Sequence, residues 1–294
     1  MSISEFIEYY KRVSKKIHKT YYYLLTGFEQ WLNDRGKAID EFTANDVELY
    51  MAEIAKRSPR SANLFLSAIR KYAEWRARNA LSTDEFVMEE RRVWALRGIK
   101  MTKVAREIKK EALSLDEVAR LLRATRDSPT LFVATAVHFY FGWRPVEGAY
   151  LIQSARVFWK DRYMIIKTAK VGNERILPWA PQMTPLIRAW YEFATEELVN
   201  KARPEEWYTK AIKPVGRRLG MNVTARTARK TFETQMRRMG VEQWAINFIL
   251  GHTTTIPDVY TDWDELRDFL TEIMTDRHYL IPVLEEVVSG WTKR

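Results

Sequence analysis

Apolar residues recur along most of the chain at the 3.6-residue spacing of amphipathic helices, in long stretches without glycine or proline. Only 11 Gly and 10 Pro occur in the 294 residues. The pattern predicts a mainly helical protein that begins with helices near 3–10, 14–33, 44–56 and 59–79. Thr43, followed three residues later by Asp46, predicts a capping box at the start of the third helix. These helices make a compact four-helix unit, which we expect to form a first domain.

A second domain is predicted from about residue 112. Ser114 is suited to cap a helix with apolar residues at helical spacing. The one convincing β segment is ARVFWKDRYMIIKTAKVGNERILPWA, where short turns separate three runs of bulky residues. We expect a three-stranded antiparallel meander there, and helices from about 183 onward. The predicted fold class is therefore mainly α with a small antiparallel β-sheet, in two domains that span 1–90 and 112–294.

The charge balance favours a polyanionic partner. Lys and Arg number 48 against 38 Asp and Glu, which gives a net charge of +10 and a pI near 9.6. Nucleic acid is a better candidate than an acidic membrane surface. Segment 91–110 holds eight basic residues and one acid. We expect a basic linker over 91–111 that crosses DNA phosphates, although a solvated face explains such charges too. The candidate DNA-binding residues are Arg91, Arg92, Arg97, Lys100, Lys103 and Arg106.

Composition also excludes several classes of chemistry. The chain has no Cys, which excludes disulfides, thiol nucleophiles, thiolate zinc sites and iron–sulfur clusters. It shows no signal peptide and no apolar run long enough to span a bilayer. We therefore expect a cytoplasmic, DNA-associated protein without a membrane partner. A glycine-rich phosphate loop is absent as well, so ATP is not implied, and we expect no cofactor.

Residues that could carry chemistry occur in four separate segments. FGWRPVEGAYLI contains an arginine and a glutamate three residues apart, and KTAKVGN places a lysine in the turn between two predicted strands. TARTARKTFETQ places two arginines on one face at the start of a helix, where amide N–H groups favour an anion. ILGHTTTIPDVYTDW contains a histidine and a tyrosine. Each has an ordinary structural explanation when it is taken alone. In chain order the residues are Arg144, Glu147, Lys170, Arg226, Arg229, His252 and Tyr260.

Taken together and in this order, the segments resemble those of the tyrosine recombinases, the phage-integrase and Xer-like family. FGWRPVEGAYL resembles the family's "TGLR…E" segment, and KTAKVGNERILPW its "GKGNKER-hydrophobic-P" hairpin. ARTARKTFETQ resembles "HxLRHTFAT", and LGHTTTIPDVYTDW resembles "LGH…T…YTH". The motifs cover roughly 112–262, and the helical unit at 1–90 resembles the family's SAM-like core-binding domain in its architecture. The resemblance implies site-specific DNA recombination or integration through a 3′-phosphotyrosine intermediate.

The resemblance also implies roles for the matched residues. Arg144 and Arg229 would clamp the phosphate, Lys170 would be the general acid of the hairpin, His252 the later histidine and Tyr260 the nucleophile. Guanidinium groups match phosphate oxygens bidentately and stay charged, so two of them stabilise the developing negative charge. The phosphotyrosine linkage conserves the bond energy, and the reaction is expected to be independent of metal ions and ATP.

Two positions and one interval depart from the family pattern. Arg226 stands where the family most often has His, and Lys230 replaces the second His of the usual "RH" pair. The interval from His252 to Tyr260 is one residue shorter than expected. A guanidinium does not deprotonate, so Arg226 can only add positive field. Whether His252 hydrogen-bonds the phosphate or takes the tyrosine proton stays open, and the departures favour an archaeal or mobile-element branch.

Two other functions fit the same residues. A type IB topoisomerase-like enzyme would relax supercoils with this catalytic set, and a DNA-binding protein could keep the fold without cleavage. For a recombinase, the expected partners are double-stranded DNA and further copies of the chain, with a tetramer on DNA. The segment YLIPVLEEVVSGW carries an apolar face that must be covered. We expect a helix at 279–290 to pack against another protomer on DNA, with docking on its own domain as the alternative.

Overall fold

The computed structural model describes residues 2–13, 18–104, 112–169, 173–252 and 262–289. The chain divides into two compact units, Met1–Ile108 and Lys109–Arg294. Each unit has its own apolar core. Among the described helices, none combines the length and apolarity needed to cross a membrane.

The described residues of the first unit form five helices. Their bounds are α1 Ile3–Val13, α2 His18–Asn33, α3 Ala44–Arg57, α4 Pro59–Arg78 and α5 Thr83–Gly98. The first four lie close to their predicted positions. The predicted capping box is confirmed, because the Thr43 hydroxyl accepts from the Asp46 N–H at 3.3 Å and the Asp46 carboxylate accepts from the Thr43 N–H at 2.8 Å. Phe28 and Phe65 are fully buried in the core between these helices.

Helix α5 differs from the expected organisation, in which the linker began at residue 91. Residues 91–98 are helical and belong to the first unit, because Val93 and Leu96 are buried against its core. The side chain of Arg92 is used inside this unit as well. Its guanidinium donates to the carbonyls of Phe42 at 3.0 Å and Asp40 at 2.7 Å. These contacts hold the Arg92 side chain within the first unit, and its contact with DNA stays a prediction.

A buried ion cluster fastens α5 to α4. The Glu89 carboxylate is 1% exposed and lies 2.8 Å from the Arg76 guanidinium and 2.5 Å from that of Arg92. Because charged residues, including the buried Glu89, interrupt the apolar spacing of α5, the hydrophobic pattern does not predict this helix. Arg91, Arg97, Lys100 and Lys103 are exposed, whereas Arg106 lies outside the described residues.

The second unit surrounds a small sheet with helices. The predicted three-stranded meander is confirmed: β1 (Arg156–Phe158), β2 (Tyr163–Lys167) and β3 (Glu174–Pro178) are antiparallel in the order β1-β2-β3. In the register of β2 and β3, Ile166 faces Arg175 and Met164 faces Leu177. The described helices are α6 Leu115–Ala124, α7 Pro129–Phe141, α8 Pro145–Ala149, α9 Thr184–Glu196, α10 Pro204–Arg218, α11 Ala225–Arg238, α12 Gln243–Ile249, α13 Trp263–Asp276 and α14 Leu280–Ser289. Short 3₁₀ turns occur at Leu151–Ser154, Pro181–Met183 and Leu198–Asn200.

Helix α14 covers its apolar face within its own unit. Leu280 and Val287 are fully buried and Leu284 is 4% exposed, where the helix packs against α6 and α7. Glu286 also forms an ion pair with Arg123 of α6. The single chain thus shows the alternative, docking on its own domain, and packing against another protomer on DNA stays a prediction. Packing on α6 and α7 removes this apolar face from water within the same unit, which is the docking on its own domain that the sequence offered as the alternative.

Two histidines are buried in the second unit as neutral rings. His138 stacks on Tyr208 at 4.0 Å and shares a hydrogen bond of 2.8 Å with the Ala134 carbonyl. His278 lies 2.9 Å from the Tyr140 carbonyl. Burial lowers the pKa of His138 from 6.5 to about 4 and that of His278 from 6.5 to about 3. The charged form of each ring is therefore far more stable in the unfolded chain than in the folded one.

We expect the second unit to lose stability as the pH falls below about 6.5, since unfolding then takes up protons at His138 and His278. Each histidine should lower the free energy of unfolding by about 1.4 kcal/mol per pH unit between about pH 6 and 5. Urea unfolding at several pH values measures this slope. His138→Phe keeps an aromatic ring and should remove close to half of it, and a flat profile from pH 7 to 5 would contradict the prediction.

Candidate active site

The carboxylate of Glu147 is the centre of a cluster of arginines. Glu147 is fully buried, and its Oε1 accepts from the Arg144 guanidinium at 2.8 Å and from the Ala169 N–H at 3.2 Å. Its Oε2 accepts from the Arg144 N–H at 2.8 Å and from the Arg175 guanidinium at 2.7 Å. Burial alone would raise the pKa of Glu147, but Arg175 and the N–H donors outweigh it and lower the pKa. The carboxylate is therefore ionised.

The turn before α8 places Arg144 and Glu147 together. Helix α7 ends at Gly142, whose φ of 55° is in the left-handed region, and a Cβ there would meet Phe232 at 2.8 Å. The chain then reaches Arg144, directly before Pro145 at the first position of α8. Glu147 is the third residue of that helix, so its side chain turns back to the Arg144 N–H.

Arg175 is the member of the cluster that sequence reasoning missed. Its side chain is 2% exposed, and it donates to Glu147 and to the Ile249 carbonyl. Burial lowers the pKa of Arg175, while Glu147 opposes that shift. A signal was present in β3, because strand alternation places Arg175 on the same face as the buried Leu177 and Trp179. An arginine on a buried strand face requires a carboxylate partner.

Helix α11 brings Arg229 to the same place. Its guanidinium donates to the carbonyls of Gly142 at 3.1 Å and Leu250 at 2.7 Å, and lies 4.0 Å from the Glu147 carboxylate. Burial, and then the positive charge of Arg144, lowers the pKa of Arg229 to about 10. Arg229 is thus a cation at neutral pH. Backbone carbonyls from two different loops fix the orientation of its guanidinium group.

His252 completes the described part of the site. Its Nε2 lies 2.9 Å from Nη2 of Arg229, and its Nδ1 lies 3.3 Å from the Asn247 side-chain oxygen. The preceding Gly251 has a φ of 64°, and a Cβ there would meet Thr168 at 2.7 Å. The tight turn after α12 therefore needs glycine. Burial, followed by the charges of Arg229 and Arg144, lowers the pKa of His252 below 6.5.

The other predicted site residues fall in different places. Arg226 has an exposed side chain one turn before Arg229 on α11, and Lys230 pairs with Glu233 at 2.9 Å. Lys170 and Tyr260 lie outside the described residues. The structure thus brings three predicted residues together, namely Arg144, Arg229 and His252.

The cluster is suited to hold an anion. Three arginines surround one buried carboxylate, which leaves an excess of two positive charges among these four side chains. The Arg144 side chain is 24% exposed and that of Arg229 is 13% exposed, so both reach solvent while Arg175 does not. A phosphate offers the oxygens that such guanidinium groups bind. In the ranges described by the structure, no three His, Asp or Glu side chains are placed to hold a metal ion.

Comparisons with known proteins show which proteins this chain is similar to. Residues 3–80 match the family model "Phage integrase, N-terminal SAM-like domain". Over 279 residues the chain is 26% identical to tyrosine recombinase XerA of Thermococcus kodakarensis, which covers 88% of this chain and 89% of that protein. It is 21% identical over 268 residues to a tyrosine recombinase of Thermosipho africanus, which covers 85% and 89% of the two chains. Over most of its length the chain is therefore similar to proteins named tyrosine recombinases.

Solved structures share the fold of this chain. A lambda integrase tetramer bound to a Holliday junction is similar to it with a TM-score of 0.62 at 15% identity, over 90% of this chain and 80% of the other. A lambda integrase dimer bound to a COC′ core site matches with a TM-score of 0.58 at 16% identity, over 90% and 98%. The predicted fold class, mainly α with a small antiparallel sheet, is confirmed.

Replacing Glu147 by Gln should destabilise the second unit strongly, because the change leaves Arg175 buried without its counter-charge. Breaking a buried ion pair in this way costs about 3–5 kcal/mol. The matched control is Glu174→Gln, because Glu174 pairs with Arg156 at 2.7 Å in an ion pair whose side chains are 45% and 61% exposed. That change should cost about 1 kcal/mol or less. Urea unfolding of both variants checks this, and equal losses would contradict the central role of Glu147.

Proposed function

We propose that this chain is a site-specific tyrosine recombinase that cuts one strand of duplex DNA, holds the end as a 3′-phosphotyrosine, and rejoins it to another strand. The observation that carries the proposal is the pair of partly exposed arginines, Arg144 and Arg229, held around one buried carboxylate beside His252. In-line attack on phosphorus puts negative charge on the nonbridging oxygens, and fixed guanidinium donors stabilise that charge.

Each remaining residue has a role in the same step. We assign Tyr260 as the nucleophile: its oxygen bonds to phosphorus as the bond to the 5′-oxygen breaks. Lys170 gives its proton to that 5′-oxygen as it leaves. Arg226 adds positive field at the start of α11. The reverse attack by a 5′-hydroxyl on the phosphotyrosine rejoins the strand, so neither ATP nor a metal ion is required.

Recombination fits the chain better than the two alternatives. The curated relatives that match most of its length are named tyrosine recombinases, whereas the same catalytic set on a topoisomerase would act on supercoils. The similar lambda integrase structures are a dimer bound to a core site and a tetramer bound to a Holliday junction. We therefore propose duplex DNA and a homotetramer as the partners of this chain, in the cytoplasm.

Two surfaces would hold the DNA. In the first unit, Arg91, Arg97, Lys100 and Lys103 are exposed around the end of α5. In the second unit, a groove of about 560 Å³ runs beside Arg144, and its lining includes Val146, Ala169, Thr209, Lys210 and Lys213. Glu205 and Glu206 line the same groove, and Glu206 pairs with Lys210 at 2.8 Å, so three cations there, Arg144 included, stand against two carboxylates. Lysines in such a groove can contact phosphate oxygens without reading the sequence.

Tyr260→Phe should abolish the covalent protein–DNA adduct and leave DNA binding unchanged, because only the attacking oxygen is removed. Adducts are trapped on a nicked duplex library of randomised sequence, in EDTA, and detected as a slow band in a denaturing gel. Tyr279→Phe is the matched control. Tyr279 is 1% exposed and donates to the Phe139 carbonyl at 2.7 Å, so it is too buried to attack DNA. An adduct with Tyr260→Phe, or none from the unaltered protein, would contradict the proposal.

Neutralising Arg97, Lys100 and Lys103 together to Gln should weaken binding to all duplex sequences alike. Each lost phosphate contact should reduce the slope of log affinity against log salt by about 0.9. The control exchanges the same three positions between Lys and Arg, which keeps the charge and should keep the slope. Titrations at several salt concentrations measure it, and an unchanged slope in the Gln variant would show that these cations only face solvent.

A further inference from the structure

A continuous line of hydrogen bonds connects α11 to the site through α12. Nε of Arg237 donates to the Gln243 side-chain oxygen at 2.9 Å, and the Gln243 amide nitrogen donates to the Asn247 oxygen at 3.0 Å. The same Asn247 oxygen lies 3.3 Å from Nδ1 of His252, whose Nε2 lies 2.9 Å from Arg229. The backbone N–H of His252 also donates to the Asn247 carbonyl at 2.9 Å. Asn247 therefore holds both the backbone and the ring of His252.

The direction of every bond in this line is determined by its two ends. A guanidinium can only donate, so Arg237 requires an oxygen at Gln243, which turns the Gln243 NH₂ group toward Asn247. Asn247 must then present its oxygen, and His252 must donate to it from Nδ1. From the other end, Arg229 can only donate to Nε2. Both ends assign the same neutral tautomer, with the proton on Nδ1 and a lone pair on Nε2.

His252 is the neutral nitrogen base among the described side chains of the site. Arg226, at the position where the family most often has His, cannot accept a proton. Lys230, which replaces the second His, carries its own proton and pairs with Glu233. The tautomer therefore bears on the choice that the sequence left open, between a hydrogen-bond donor to phosphate and a proton acceptor.

We propose that Asn247 is a positioning residue that keeps the proton of His252 on Nδ1, so that Nε2 enters strand cleavage as the acceptor of the nucleophile's proton. The inference rests on the proposed function for its substrate, and on the hydrogen-bond line for its chemistry. In the free protein, the Nε2 lone pair accepts from Arg229. A phosphate oxygen carries more negative charge than an imidazole nitrogen, so it draws that N–H to itself and opens Nε2 to the attacking hydroxyl.

The step is balanced in protons and bonds. The Tyr260 hydroxyl gives its proton to Nε2 of His252 as its oxygen bonds to phosphorus. The bond from phosphorus to the 5′-oxygen breaks, and that oxygen takes a proton from Lys170. His252 is then an imidazolium, stabilised by the Asn247 oxygen on Nδ1, and it can return its proton to the tyrosine oxygen when the strand is rejoined.

Charges on the neighbouring elements support an acceptor at neutral pH. Burial is the main cause that lowers the pKa of His252, and Arg229, Arg144 and Lys230 act in the same direction, while Glu233 opposes them. The ring is therefore neutral above about pH 6.5, its ordinary value. Adduct formation should rise with pH through the titration of His252 and then level off.

The tautomer can be measured without DNA. The chain contains only four His, so long-range ¹H–¹⁵N correlations of the imidazole nitrogens are resolvable in the full protein, and His252→Gln assigns the signal. We expect His252 to show the Nδ1–H pattern. Asn247→Leu removes the acceptor at similar size and leaves only Arg229 to set the tautomer, so the fraction of the Nε2–H form should rise. An Nε2–H ring in the unaltered protein would overturn the inference, whatever the activity.

The kinetic test uses a duplex recovered as an adduct from the randomised library. Asn247→Leu should slow single-turnover adduct formation by about 10²-fold at neutral pH, the lower end of what a general base contributes, and leave DNA affinity unchanged. Asn247→Asp keeps the acceptor and adds a negative charge. It should therefore keep the tautomer and move the acid limb of the pH–rate profile to higher pH.

The outcomes separate this inference from the proposed function. An unaltered protein that forms no adduct contradicts the proposed function. Normal rates and an unmoved acid limb in both Asn247 variants, with adducts from the unaltered protein, contradict the positioning role alone. If Asn247→Leu fails to fold, Asn247→Asp still tests the positioning role, because the position of the acid limb in its pH–rate profile can be measured. Imidazole rescue of His252→Ala provides a second measurement. Rescue that increases with the basicity of substituted imidazoles supports a proton acceptor, and rescue that decreases with it contradicts one.

Discussion

The Glu147 carboxylate is the interaction on which the rest of the site depends. It gathers guanidinium groups from the turn before α8 and from β3, and it lies 4.0 Å from the guanidinium of α11. Without its charge, three arginines would repel one another in a place shielded from water. With it, two of them keep enough exposure to meet a phosphate. The fold thus holds like charges together before any DNA arrives.

The three arginines differ in burial, and their contacts differ accordingly. Arg175 lies inside the unit and joins β3 to the end of α12, since it donates both to Glu147 and to the Ile249 carbonyl. Arg229 and Arg144 lie nearer solvent, and carbonyls at the ends of α7 and α12 hold them from behind. The same turn after α12 positions His252. Hydrogen bonds therefore connect β3, the ends of α7 and α12, and His252.

Two helices show how apolar faces are covered in this chain. Helix α5 closes the first unit, where Val93 and Leu96 reach the core and Glu89 neutralises buried arginines. Helix α14 closes the second unit on α6 and α7. In both cases the helix belongs to its own domain, although its sequence suggested a link to DNA or to a neighbour. A segment with excess charge needs counter-charges, and an apolar face must be covered. The same domain, DNA or a second protomer can each meet these needs, so the sequence pattern does not choose among them.

The sequence by itself determined the helical class, the first four helices, the capping box at Thr43 and the three-stranded meander, because periodicity and capping are local properties of the chain. Motif order also indicated the family and selected Arg144, Arg229 and His252. Only the tertiary structure decided that Arg175 joins this cluster, that α14 packs against its own unit, and that Arg92 donates to carbonyls of its own unit. Those outcomes depend on contacts between residues far apart in the chain. The proton position on His252 is of the same kind, since arginines 8 residues apart on α11 assign it through a helix that follows in the sequence.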